Sequence, residues 1–420
     1  MTNTFPGPDD TARVVLPNGI TLLTRANFNS PSVVVSGYLH AGSLFDPDEK
    51  LGLADFTASA LMRGSRTRDF QAIFNALESV GASLGFSAHT HTVGFQGRAL
   101  AEDIPLLLDI LAETLRQPTF PDSQIERLRA QLLAGLAIRA QDTGDMASLL
   151  FDRILFRDHP YARPEDGFPE TVQRITREDI VAFHRKQYGP RGMVLVIVGA
   201  VEPEEILAQV QRVLGDWENA DQISPPELPP LSPLKETIRK HHPIEGKSQT
   251  DIVMGVLGPK RRDETFMAAS LGNSILGQFG LMGRIGDAVR ERSGLAYYAY
   301  SSLSAGIGPG AWYISAGVNP ANVDKAIAIV EEELRRFIEE GVSEEELRDS
   351  QTNFIGRLPL SLESNAGVAG ALLNIERYDL GLDYYRRYPA LVQAVTREEV
   401  LAAARRYIHP DALAIATAGS

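Results

Sequence analysis

Histidines are few in this chain, eight in 420 residues, and two of them stand one residue apart, in His89-Thr-His91. Side chains alternate along an extended strand, so this spacing predicts both imidazoles on one strand face, where they could serve as a donor pair for a transition metal. No third ligand follows at a recognisable spacing, and the same pair reads as surface histidines on a strand. His241-His242 precedes Pro243 and reads as a solvated turn, while His40, His159, His184 and His409 stand alone and read as structural. Gly277, Gly280 and Gly283 lead into a helix, a place where backbone N–H groups can cradle phosphate. Neither a following Lys-Ser/Thr nor a dinucleotide spacing accompanies them, so a phosphate loop is excluded. The chain has no cysteine, which removes disulfides, thiolate zinc sites, iron–sulfur clusters and Cys nucleophiles. Its 54 acidic and 41 basic residues leave a net charge of −13, which argues against a nucleic-acid partner. No apolar run approaches the ~18 residues of a membrane span, and the start is polar, without a basic segment followed by an apolar one. A cytoplasmic protein with no membrane partner is the expectation.

The elements that must position these residues occur twice. Thr171-Val-Gln-Arg-Ile-Thr-Arg-Glu-Asp-Ile180 is answered half a chain later by Leu391-Val-Gln-Ala-Val-Thr-Arg-Glu-Glu-Val400. The register holds without gaps through the apolar runs Met193–Val198 and Leu413–Ala418, which end at Gly199 and Gly419. In both copies Thr-Arg-Glu followed by an acid predicts a helix N-cap with carboxylates in the first turn, and a buried strand follows. A second pair of helix starts, at Asp122 and Ser343, repeats in the same order, and Ser343 with Glu346 forms a capping box. Between the copies, Pro225, Pro226, Pro229, Pro230 and Pro233 mark a stiff extended linker. The predicted organisation is an N-terminal domain over 1–217, a linker over 218–236 and a C-terminal homologous domain over 237–420. Strands are expected at Ile20–Thr24, Ser32–His40 and Thr250–Leu257, with antiparallel ribbons over Ser83–Gly97 and Tyr297–Ala316. The fold class is α+β: in each half a mixed, largely antiparallel sheet with helices packed on one face.

Several blocks carry a resemblance. Leu16-Pro-Asn-Gly-Ile-Thr-Leu-Leu23, Ala41-Gly-Ser-Leu-Phe-Asp46, Gly52-Leu-Ala54 and Arg290-Glu-Arg-Ser-Gly-Leu-Ala-Tyr297 resemble, over nearly the whole chain, the insulinase/pitrilysin/mitochondrial-processing-peptidase family in its short bacterial form. The family's zinc chemistry uses H-x-x-E-H on a helix, two imidazoles holding Zn²⁺ and a Glu acting as base, with a downstream Glu as a further ligand. Aligned on Gly-Leu-Ala, this chain carries Asp55 and Ser59 at the histidine positions, Ala58 at the base and Leu133 at the downstream ligand. Alanine cannot take a proton and leucine cannot bind a metal. The resemblance therefore implies a degenerate zinc site, with no metal in this chain and zinc in a partner.

Arg290 and Tyr297 match the family's Arg/Tyr pair, which the resemblance implies binds the substrate carbonyl and stabilises the oxyanion. From spacing alone, Arg290 reads as an ion-pair partner at a helix end and Tyr297 as a half-buried strand residue; the surrounding R-E-x-x-G-L-A-Y context favours function. The resemblance further implies a flexible substrate lip at Gly277, Gly280 and Gly283, and a strand edge at His89 and His91 where peptide can add. The leading expectation is a metal-free subunit of a heterodimeric zinc peptidase, acting on peptides through Arg290 and Tyr297 in trans with a homologous zinc-bearing subunit. The alternatives are an inactive scaffold or peptide-binding homologue, a homodimer, and a self-sufficient enzyme with metal relocated to His89 and His91.

Overall fold

A computed structural model describes residues 5–278, 280 and 283–420. The chain forms two compact units, one from Met1–Leu136, Pro164–Glu227 and Leu358–Arg387, the other from Ala137–Arg163, Leu228–Arg357 and Tyr388–Ser420. These units differ from the contiguous halves expected at 1–217 and 237–420, because each includes a stretch of the other half; one of the points where the chain passes between them, Glu227 to Leu228, falls inside the Pro-rich segment.

The first unit holds a six-stranded sheet of β1 (Ala12–Val15), β2 (Thr21–Ala26), β3 (Ser32–Leu39), β4 (Ser83–Ala88), β5 (Val93–Leu100) and β6 (Val194–Gly199), in the order β1-β2-β6-β3-β5-β4. The second holds β7 (Ile238–Pro243), β8 (Thr250–Leu257), β9 (Ala296–Leu303), β10 (Ala311–Val318) and β11 (Ala414–Gly419), in the order β7-β11-β8-β10-β9. Setting β1 aside, the two orders match strand for strand. Each contains one parallel pair, β2 with β6 and β7 with β11, in an otherwise antiparallel sheet. The repeat in the sequence is thus a repeat of topology.

The helices that matter here are α1 (Leu53–Ala60), α2 (Ile104–Arg116), α3 (Asp122–Arg139), α4 (Thr143–Leu155), α5 (Arg177–Gln187), α6 (Phe266–Gly277), α7 (Val323–Glu340), α8 (Glu344–Ser361), α9 (Asn365–Tyr378) and α10 (Arg397–Tyr407). The expected caps form. Thr176 with Asp179 and Thr396 with Glu399 close capping boxes at α5 and α10. Ser343 Oγ accepts the Glu346 N–H at 3.1 Å while Glu346 accepts the Ser343 N–H at 2.8 Å. Each such cap contributes about 1 kcal/mol by satisfying amide groups the helix leaves open.

In the first unit the main helical layer packs on one sheet face, where Val33, Val35, Phe95, Leu195 and Ile197 meet Phe56, Leu107 and Leu111. In the second, Ile252, Met254, Trp312 and Ile314 do the same against Leu271, Leu334 and Phe337. The expected single helical layer is therefore present in both. Each sheet also carries one helix on its opposite face. α9 packs on β3 and β6, and α4 on β8 and β11. The reason lies in the strands: β6, β8 and β11 are buried at every residue, so both faces must be covered. Along β11 the residues facing α4 are Ala414, Ala416 and Ala418, small enough to admit Phe151 and Leu155. Among the described residues, no helix is long and apolar enough to cross a membrane.

His184, on α5, shows how a lone histidine is absorbed by the core. Its Nε2 donates to the Leu115 carbonyl at 2.8 Å and its ring stacks on Tyr188 at 4.7 Å. Burial holds its pKa down to about 4 against an ordinary 6.5. The neutral ring is the folded form, so its contribution is complete above about pH 6.5 and is lost as pH falls towards 4. Urea unfolding at pH 7 and pH 4.5 should show wild type losing about 2–3 kcal/mol more than His184→Gln, which keeps a donor but does not titrate. Phe151→Ala should cost about 3–5 kcal/mol in the same assay, because Phe151 is 2% exposed and fills the second sheet's outer face against Tyr313.

Candidate functional site

In the first unit the site region is built on α1. Gly52 precedes this helix with φ +93°, a left-handed conformation that suits glycine, and the Asp46 carboxylate accepts the N–H groups of Gly52 and Ala54, each at 2.9 Å. Burial pushes the Asp46 carboxyl up to about 8, against the pull of those amides. Sequence reasoning noted Asp46 only within a motif; its work is to hold the start of α1. Asp55 and Ser59 lie one turn apart and half-buried on α1, and Ala58 turns into the core with 1% exposure. Leu133, on α3, packs against the same core, and Glu126 on that helix is exposed and paired with Arg129 at 3.1 Å.

The loop after Pro164 brings Glu165 and Asp166 into the electrostatic neighbourhood of Asp55, whose pKa rises to about 6 through burial first and these carboxylates second. His89 belongs to the same group. Glu165 lies 3.8 Å from its Nδ1 and raises its pKa, and Thr90 donates both N–H and hydroxyl to Glu165. The expectation of His89 and His91 on a strand face is corrected here. Both lie in the turn between β4 and β5, closed by the His89 N–H donating to the Thr92 carbonyl at 2.8 Å, so strand alternation does not pair their rings. Among the described residues, no group of three His, Asp or Glu side chains could hold a metal ion.

In the second unit Arg290 sits in a π-helical turn, Asp287–Arg292, a wide turn that often marks functional positions. Its guanidinium is partly exposed and lies 3.4 Å from Glu291. The turn closes at Gly294, whose φ of +63° is left-handed, with the Gly294 N–H on the Arg290 carbonyl at 2.9 Å and the Leu295 N–H on Val289 at 3.0 Å. The chain enters β9 directly, at the edge of its sheet. Gly317 pairs with Tyr298 but Val318 with Ala296, so Tyr297 is the extra residue of a β-bulge. The bulge separates two adjacent tyrosines. Tyr298 turns onto the sheet, where its hydroxyl donates to buried Asp251, and burial raises its pKa. Thr143 from α4 and Gln249 also donate to Asp251, the latter at 3.0 Å. Tyr297 is 86% exposed, so the half-buried reading of this residue gives way to a phenol held in solvent.

Of the three glycines expected in a substrate lip, Gly277 and Gly283 are required by packing. A Cβ on Gly277 would stand 2.1 Å from the Ser301 nitrogen, and one on Gly283 2.5 Å from the Ile275 carbonyl. Only Gly280 faces open space. Phe279, Leu281 and Met282, in the same segment, lie outside the described residues.

Residues 21–164 match the sequence profile described as Insulinase (Peptidase family M16), and residues 174–354 match that of the Peptidase M16 inactive domain. This chain belongs to the M16 peptidase family. Its M16 relatives include an uncharacterized zinc protease of Streptomyces coelicolor, 28% identical over 86% of this chain and 78% of its own. Another is the mitochondrial-processing peptidase subunit beta of Saccharomyces cerevisiae, 26% identical over 84% of this chain and 79% of its own. The crystal structure of a peptidase M16 inactive domain from Pseudomonas fluorescens matches with a TM-score of 0.91 at 27% identity, covering 98% of each chain. The sequence-expected positions for the family's zinc donors hold Asp55, Ala58, Ser59 and Leu133. Two of the four offer no donor atom, and Leu133 is engaged in the core.

The bulge makes a stability prediction that separates the two phenols. Tyr297→Phe should change unfolding free energy by less than about 0.5 kcal/mol, since nothing covers that hydroxyl. Tyr298→Phe should cost about 1–3 kcal/mol by leaving buried Asp251 short of a donor. Denaturant midpoints of the two variants against wild type check both.

Proposed function

We propose that this chain is the metal-free member of a pair of M16 subunits and acts on peptides with Arg290 and Tyr297, in trans to a homologous subunit that carries zinc. The observation that carries this reading is a contrast within one chain. The four positions where zinc chemistry needs donors hold Asp55, Ala58, Ser59 and Leu133, while a π-turn and a bulge carry Arg290, its guanidinium partly exposed, and Tyr297, its phenol in solvent. A guanidinium and a phenol are hydrogen-bond donors suited to a carbonyl oxygen that gains negative charge as its amide is attacked. The π-turn and the bulge fix the backbone from which both side chains project. Activation of water falls to the partner, because Ala58 has no group to accept a proton. A relative that is itself a subunit of a processing peptidase supports the pairing.

The test is reconstitution. This chain, freed of companions, should lack stoichiometric zinc and hydrolyse no peptide, and mixing with a zinc-bearing M16 homologue from the same source should produce cleavage. Arg290→Ala should then lower kcat of the mixture by about 100-fold and Tyr297→Phe by about 10-fold or more, with complex formation unchanged by gel filtration. Chelator-sensitive hydrolysis by the lone chain, or unaltered turnover with both variants, would overturn the reading.

A further inference from the structure

A cavity of about 500 Å³ lies in the first unit, between the face of β3, β5 and β4 on one side and α9 on the other. Its size is that of a site for a small ligand or one to two side chains. Two ionisable residues line it, His89 and Arg377, and both are basic. No carboxylate is among the residues that line it; the nearest one to His89, Glu165, stands 3.8 Å away outside the lining. Arg377 occupies the last turn of α9, where a cation is favoured by the helix dipole. Its guanidinium carbon lies 4.6 Å from the centre of the Tyr38 ring, and its Nε is buried with no acceptor. A buried guanidinium nitrogen without an acceptor is an unmet demand for an anion. After burial, the Arg377 charge is the second cause that holds His40, outside the cavity, below its ordinary range.

The other wall supplies complementary donors. His89 Nε2 lies 3.3 Å from Ser87 Oγ, and Glu165, which raises the His89 pKa, is itself engaged by Thr90. His89 therefore carries positive charge to higher pH than a free imidazole. The space is kept open by glycine: at Gly85 and Gly370 a Cβ would meet nothing within 4 Å. Both line the cavity, one from β4 and one from α9. On this face the strands carry Ser36, Ser87 and Gln96, whose hydroxyl and amide groups can add donors to a bound anion, while Phe86 and Phe95 turn their rings into the core on the opposite face.

We propose that this cavity binds a peptide carboxylate, from a chain terminus or an acidic side chain, on Arg377 and His89. The inference deepens the peptide-handling reading above and rests on it for the ligand being a peptide. Because the site lies within one unit of this chain, it is tested without a zinc-bearing partner and without turnover.

Isothermal titration of the isolated full chain with three N-acetylated Ser/Ala octapeptides tests it: one ending in a free acid, one ending in an amide, and one amide with a central Glu. At least one acid-bearing peptide should bind about tenfold or more tightly than the neutral amide, and whichever it is identifies the source of the carboxylate. Arg377→Gln should reduce the preference to less than about twofold. Gly370→Leu, which fills open space on a helix and should keep the thermal midpoint at or above wild type, should abolish the preference with Arg377 intact. Equal binding of all three peptides, no binding of any up to about 1 mM, or a preference that survives either folded variant would overturn the proposal. A retained preference with no effect of this chain on a zinc-bearing homologue would remove the catalytic reading and leave this site standing.

Discussion

Strands β6, β8 and β11 are buried along their whole length, and a sheet apolar on both sides has no face to show to water. Everything else in this molecule follows from covering two such sheets twice. One face of each is met by a local helical layer; the other takes a single helix supplied by the opposite half of the sequence. The covering helices do more than bury area. Thr143 at the start of α4 reaches the Asp251 carboxylate that anchors Tyr298, and α9 carries Arg377 over the first sheet. The geometry of both candidate sites is thereby tied to the demand for apolar burial.

Much of this was legible before any coordinates. The apolar run Thr250–Leu257 marked β8 at its observed bounds. Caps at Thr176, Ser343 and Thr396 were readable because an oxygen-bearing side chain three residues before an acid has one economical use. What escaped was whatever depends on a partner surface. The pattern of α4 says that one face is buried, and nothing in it says against which sheet. His89 and His91 were read on a strand because the turn between β4 and β5 lacks the Gly, Pro or Asn that advertises one.

The candidate sites divide along the same line. Residue chemistry alone set the expectation at Ala58 and Leu133, since alanine and leucine have no donor atoms wherever the backbone puts them. The exposure of Tyr297 could not be read, because alternation assigns adjacent residues to opposite faces without saying which one a bulge releases. Asp46 was equally silent: its carboxylate acts on backbone amides of α1, and backbone amides leave no trace in side-chain patterns. The cluster of Glu165 and Asp166 with Asp55 arises from a loop distant in sequence, beyond any local motif.

The exchange of α4 and α9 has a bearing on how such a chain can change over generations. A recombination at the Pro-rich segment, the natural seam on paper, would graft each sheet onto a lid shaped by a stranger. The duplicated halves are thus no longer interchangeable modules, and substitutions along Ala414, Ala416 and Ala418 are answerable to Phe151, which is inherited from the other side of that seam.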